Sequence, residues 1–129
     1  MKNKTLYSVI TVLLLCNCSP PSKEELFIGN WKASLVTNLE KKKDYFVTNF
    51  MDVNIGMDSL TVKMERKTDI ANGTYAWSIK EDSIFLTNNI GDTVHLAKIK
   101  ELTNTFMTVE MVIFISDSLR VKYEKVNSN

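Results

Sequence analysis

The chain has 129 residues, with 16 basic against 15 acidic side chains, a formal net charge of +1 and 44% hydrophobic residues. That length suits one domain with a real core, and near-neutral, interspersed charge excludes the electrostatic footprint of a nucleic-acid binder. Two cysteines and one histidine are too few for an ordinary structural zinc site.

Lys2 and Lys4 precede a run from Leu6 to Leu15 that is apolar except for Ser8 and Thr11. A basic start followed by a short apolar run is the pattern of a secretory signal. The run is too short to cross a hydrocarbon core, which takes about 20 apolar residues as helix. Next comes "LLLCNCSPPSKEEL", with two cysteines two apart. Leu15-Cys16-Asn17 ahead of Cys18 resembles the lipobox of bacterial lipoproteins, which implies that Cys18 carries lipid and becomes the new N-terminus. Cys16 fits less well, because Leu15 before it is larger than the residues usually accepted there. An ordinary cleaved signal is the rival reading, and a metal or redox pair lacks further Cys or His partners. On the lipobox reading residues 1–17 are a signal peptide, and 112 residues with a net charge of −1 remain.

Residues 18–25 form a tether and lead-in. Pro20-Pro21 favours an extended conformation, and Ser22 with Glu25 has capping-box spacing, so "SKEELFI" suits one short helical turn. Lys41-Lys42-Lys43, beside Glu40 and Asp44, reads as a solvated loop.

From Trp31 onward the hydrophobic period is two. Tyr45, Val47, Met51, Val53 and Ile55 share a face, with Asn49 the exception. Tyr75, Trp77 and Ile79 alternate with Thr74, Ala76, Ser78 and Lys80. Met107, Val109, Met111, Ile113 and Ile115 oppose Phe106, Thr108, Glu110, Val112 and Phe114. Leu119, Val121 and Tyr123 alternate with Arg120, Lys122 and Glu124, close to an ideal half-buried strand. Val94 and Leu96 fall on one face but Ile99 on the other, a slip that predicts a bulge near Ala97 to Lys98. Turn signals fall around Lys41, at Gly56-Met57-Asp58, Asn72-Gly73, Glu81-Asp82, Asn88 to Asp92, Thr103-Asn104 and Asp117-Ser118. Seven connections imply eight strands joined mostly as hairpins. An all-β, antiparallel up-and-down eight-stranded barrel abolishes exposed edges; a two-sheet sandwich is the alternative.

"FIGNWKAS" places Gly29-Asn30-Trp31 at the first strand, and "GTYAWSIKEDSIFLT" and "LRVKYEKV" continue the pattern. Over roughly residues 26–127 this resembles the lipocalin-like domains of small bacterial lipoproteins. The resemblance implies that Trp31 packs across the barrel floor against a basic side chain of the last strand, for which Arg120 is the candidate. Gly29, Trp31 and Arg120 are then fold residues. It also implies a barrel just wide enough to be filled by side chains or to hold one small ligand.

Chemistry-bearing patterns are sparse. His95, alone between Val94 and Leu96, suits an outer face or a single hydrogen bond. Glu24-Glu25 and Glu81-Asp82 lie in the lead-in and a turn, where both carboxyls stay wet and neither is set apart for acid–base work. We therefore expect no enzyme, cofactor or metal site. The leading expectation is a lipid-anchored binding protein of the cell envelope holding a small hydrophobic ligand, with Tyr75, Trp77, Met107 and Met111 as lining. The alternative is a packed barrel whose outer aromatics contact another envelope protein. No acidic residue follows Cys18, since Ser19-Pro20 stands there, which points the anchor to the outer membrane.

Overall fold

The computed structural model describes residues 18–46, 51–64, 73–114 and 117–127. The signal-peptide reading of residues 1–17, and the expectations for Val47, Asn49 and Ile115, lie outside them. A five-residue helix, α1 (Lys23–Phe27), leads into the sheet. Its capping box is formed: Glu25 N–H donates to Ser22 Oγ at 3.2 Å, and Ser22 N–H donates to the Glu25 carboxylate at 3.2 Å. The helix ends at Ile28, where the backbone turns extended.

Nine strand segments follow: β1 (Gly29–Asn38), β2 (Lys43–Phe46), β3 (Met51–Ile55), β4 (Leu60–Met64), β5 (Gly73–Lys80), β6 (Ser83–Thr87), β7 (Thr93–Leu102), β8 (Phe106–Phe114) and β9 (Asp117–Val126). Neighbours pair antiparallel, and β9 returns to pair with β1 from Asn30↔Val126 to Asn38↔Leu119. Both β2 and β3 pair with the opposite edge of β1, β3 with its start and β2 with its end. They share one position, so eight strands surround a closed barrel, as the turn spacing predicts. Closure matters because an open edge is a row of unpaired backbone groups.

The two-residue period sets the core. Met51, Val53, Ile55, Ile84, Leu86, Met107, Val109, Val121 and Tyr123 are buried inside. Buried donors and acceptors on the described side chains are all satisfied. Tyr123 Oη donates to Met51 Sδ at 3.0 Å, and burial pushes its phenol pKa up, keeping it neutral. The bulge in β7 lies at Leu96, one residue before the expected stretch, since Phe85 pairs His95 while Ile84 pairs Ala97. A second, opposite β8, lies at Lys100. The slip leaves Val94 on the interior face with its register partner Leu86, and Leu96 also packs against the core. Asp117 and Ser118, expected in a connection, already belong to β9.

Trp31 is among the largest fully buried side chains, so Trp31→Ala should lower unfolding free energy by about 3–5 kcal/mol. Ser22→Ala, which removes only the cap, should lower it by about 1 kcal/mol. Urea titration followed by circular dichroism checks both.

Candidate functional site

The two ends of the barrel differ, and the difference begins with α1. Phe27 is buried under the floor, where its carbonyl accepts from Trp31 Nε1 at 2.8 Å. Its ring meets Trp77 edge-on at 5.0 Å. Trp77 Nε1 donates in turn to the Gly56 carbonyl at 2.8 Å. Above Trp31 sits Lys125, its register partner across the closing seam. The Lys125 ammonium lies 4.9 Å from the indole centroid and donates to the Leu26 carbonyl at 3.1 Å. A cation at the C-terminal end of a helix is electrostatically favoured as well. Gly29 makes room for this side chain. Its φ is +146°, a region L-residues rarely adopt, and a Cβ there would overlap Lys125 Cε.

This geometry corrects the expectation for Arg120. On β9, Val121 and Tyr123 point inward, so Lys125 shares their side and Arg120 faces out. Arg120 Nη2 and Nε donate to Glu110 Oε1 at 2.7 and 3.1 Å, and Lys100 approaches the same carboxylate at 3.6 Å. The hydrogen bond from Arg120 holds the Glu110 carboxyl below its ordinary range, against a smaller opposing effect of desolvation. Strand parity alone carries the correction: odd-numbered residues of β9 face the core.

At the opposite end, two of the described interior positions are exposed. Tyr45 pairs with buried Val36, and Val94 pairs with buried Leu86. Directly opposed residues project to the same side of a sheet, so Tyr45 and Val94 belong to the interior face. Yet they are 40% and 57% exposed. An interior position that meets solvent marks a mouth. A row of partners, Met111↔Leu119, Leu119↔Asn38 and Asn38↔Lys43, crosses from apolar to cationic along this rim. Asn38 is buried and accepts from Lys41 N–H at 2.8 Å, fixing the β1–β2 turn. The Lys43 ammonium lies 5.3 Å from the Tyr45 ring centroid. Ile90, 77% exposed, tips the β6–β7 turn at this same end.

Tyr75, Trp77, Met107 and Met111 all take interior positions, but they do not converge. Trp77 is engaged with Phe27 at the floor, while Met107 is buried opposite Tyr123 near the same end. Tyr75 is half-buried opposite Leu60. Met111 alone reaches the rim row. Sequence reasoning passed over Val94 as a mouth residue because the Leu96 bulge reverses its face. Tyr45 was placed on the interior face but not singled out. Met51, Met107 and Met111 are core residues, whereas Met57 is 82% exposed in the β3–β4 turn. His95 lies on the outer face, edge-on to Phe85 at 5.4 Å, and Phe106 packs beneath the Lys122 ammonium. Cys18 is an exposed free thiol. Two clefts of about 340 and 420 Å³ lie at the floor end. One separates α1 from β7, and the other lies beside Gly29 and Lys125. Among the described residues no group of three or more His, Cys, Asp or Glu side chains could hold a metal ion, and no helix is long and apolar enough to cross a membrane.

No family model matches the chain, and no curated protein matches it. Among solved structures it is similar to an uncharacterized protein from Bacteroides eggerthii, at 12% identity and a TM-score of 0.54. The match covers 77% of this chain and 98% of that one. At such identity the likeness is one of fold. The fold and site together define a closed eight-stranded antiparallel barrel, plugged at one end by α1 and with exposed interior positions toward the other.

The clamp over Trp31 and the outer ion pair should separate in stability measurements. Lys125→Ala removes a part-buried cation–π contact and a charged hydrogen bond and should cost about 1–3 kcal/mol. Arg120→Ala, on the outer wall, should cost at most about 1 kcal/mol. Because the folded-state pKa of Glu110 is depressed, its stabilisation is complete above the unfolded carboxyl pKa. It is lost as pH falls through the folded value. Wild type and Glu110→Gln should therefore differ at neutral pH and converge in acid, as chemical denaturation at a series of pH values would show.

Proposed function

We propose that the protein is a lipid-anchored binding protein of the cell envelope, of the lipocalin-like lipoprotein kind. It is attached through Cys18 to the outer membrane and takes a small hydrophobic ligand at the open end of its barrel. The observation that carries this reading is the exposure of Tyr45 and Val94 on the interior face, above a core that is otherwise shut. Apolar surface that a barrel turns inward yet leaves wet is where an apolar ligand gains most from burial. The depth available is small. Val109, Val121 and Val36, in the same row as Tyr45, are already buried. The ligand therefore seats in the rim and not along the barrel axis, with Met111 and Leu119 beneath it. The lipobox-like Leu15-Cys16-Asn17-Cys18 and the G-x-W clamp support the anchor and the family resemblance respectively.

A second reading, a packed barrel that docks another envelope protein, is favoured by exposed Val112 on the outer wall near the same end. An apolar dye such as anilinonaphthalene sulfonate separates the two. Trp31 and Trp77 are committed to the floor, so the dye's own emission is the better reporter. Saturable binding lost at least tenfold in Val94→Asp, and kept in Val112→Ser, is the outcome expected for a rim site. Binding lost only in Val112→Ser would favour the outer wall and the protein-docking reading.

A further inference from the structure

The same end of the barrel that α1 plugs also receives the tether, and this fixes how the molecule stands on a membrane. We propose that the plugged end is a lipid-facing surface, with Met57 and Val126 seated against the bilayer and the mouth pointing away from it. The proposal rests on the lipid-anchor reading of Cys18.

Three features carry it. First, the tether is short and held. Lys23 Nζ donates to the Glu81 carbonyl and pairs with Asp82, each at 2.7 Å, and Pro21 lines the cleft between α1 and β7 together with Leu26 and Leu102. From Pro21 back to Cys18 there are three residue steps, which span at most about 11 Å when extended. A lipid on Cys18 therefore keeps the β5–β6 turn within that distance of the bilayer surface.

Second, the mouth is out of reach. A ten-residue strand such as β7 is about 33 Å long, and a tilt of about 40° still leaves the ends roughly 25 Å apart along the barrel axis. Third, the plugged end carries apolar side chains that the fold leaves uncovered. Met57 is 82% exposed on the β3–β4 turn, and Val126 is 48% exposed at the end of β9. They flank the start of β1, because Ile55 pairs with Gly29 and Val126 pairs with Asn30. Exposed Glu24, Glu25, Asp58 and Glu81 share this end with exposed Lys23 and Lys80, so it is not a basic patch. The contact is consequently set by tether length and apolar seating and not by attraction to anionic headgroups.

The test is depth quenching in vesicles of zwitterionic phosphatidylcholine containing brominated acyl chains. The lipidated protein carries an added tryptophan at Met57→Trp or at Ile90→Trp, and the parent signal of Trp31 and Trp77 is subtracted. Quenching at position 57 several-fold greater than at position 90, unchanged between low and high salt, is the expected result. Equal quenching at both, stronger quenching at position 90, or none at either would overturn the orientation. Mass spectrometry of the same preparation reports separately whether Cys18 carries lipid. If it does not, the anchor reading fails. The orientation is then decided on residues 18–129 coupled through Cys18 to a maleimide lipid.

Discussion

Trp31 and Lys125 face each other across the seam where the last strand meets the first, and the rest of the barrel depends on that encounter. One side chain supplies a large apolar surface and an N–H, the other a cation on a flexible stem. Together they bind α1: the indole donates to Phe27 and the ammonium to Leu26. Sheet closure and end plug are therefore one construction. Gly29 is part of it, since the stem of Lys125 crosses where a side chain would otherwise stand. The G-x-W pattern is in this sense a statement about three positions, the third lying on β9.

A barrel sealed this way at one end is free to be different at the other. Phe27, Trp31, Trp77 and Met107 fill the floor, while toward the rim Tyr45 and Val94 meet solvent on the interior face. Polar groups grade into this apolar surface along the row that ends in Lys43. The tether enters beside the plug, so on the proposed lipid anchoring the rim is presented away from the membrane. The proposed anchor and the rim then stand at opposite ends of a wall of paired strands.

Much of the architecture was legible in the chain. Alternation is regular in β3, β5 and β9 and in β8 as far as Val112, Ser22 and Glu25 announce their capping box, and regular turn signals fix the number of strands. The site was less legible, for two physical reasons. A bulge moves one residue out of register and so reverses every face beyond it; Leu96 did this to Val94, and no local pattern marks which residue is extra. The partner of Trp31 is a long-range choice as well. Arg120 and Lys125 are both basic and both on β9, and only their parity relative to Val121 and Tyr123 separates them. Large interior residues were the natural candidates for ligand contact, yet size draws such residues into the floor, as Trp77 and Met107 show. The exposed interior positions, Tyr45 and Val94, carry no local pattern that sets them apart in sequence.

The account stands on the barrel being closed at Trp31 and receptive at Tyr45 and Val94. Backbone amide chemical shifts, followed by NMR during titration with an apolar probe, test this most directly. The account predicts shifts concentrated at Tyr45, Leu86, Val94, Met111 and Leu119, with Gly29, Trp31 and Lys125 unmoved. Shifts centred on Gly29, Lys125 or the cleft between α1 and β7, with the rim silent, would contradict it.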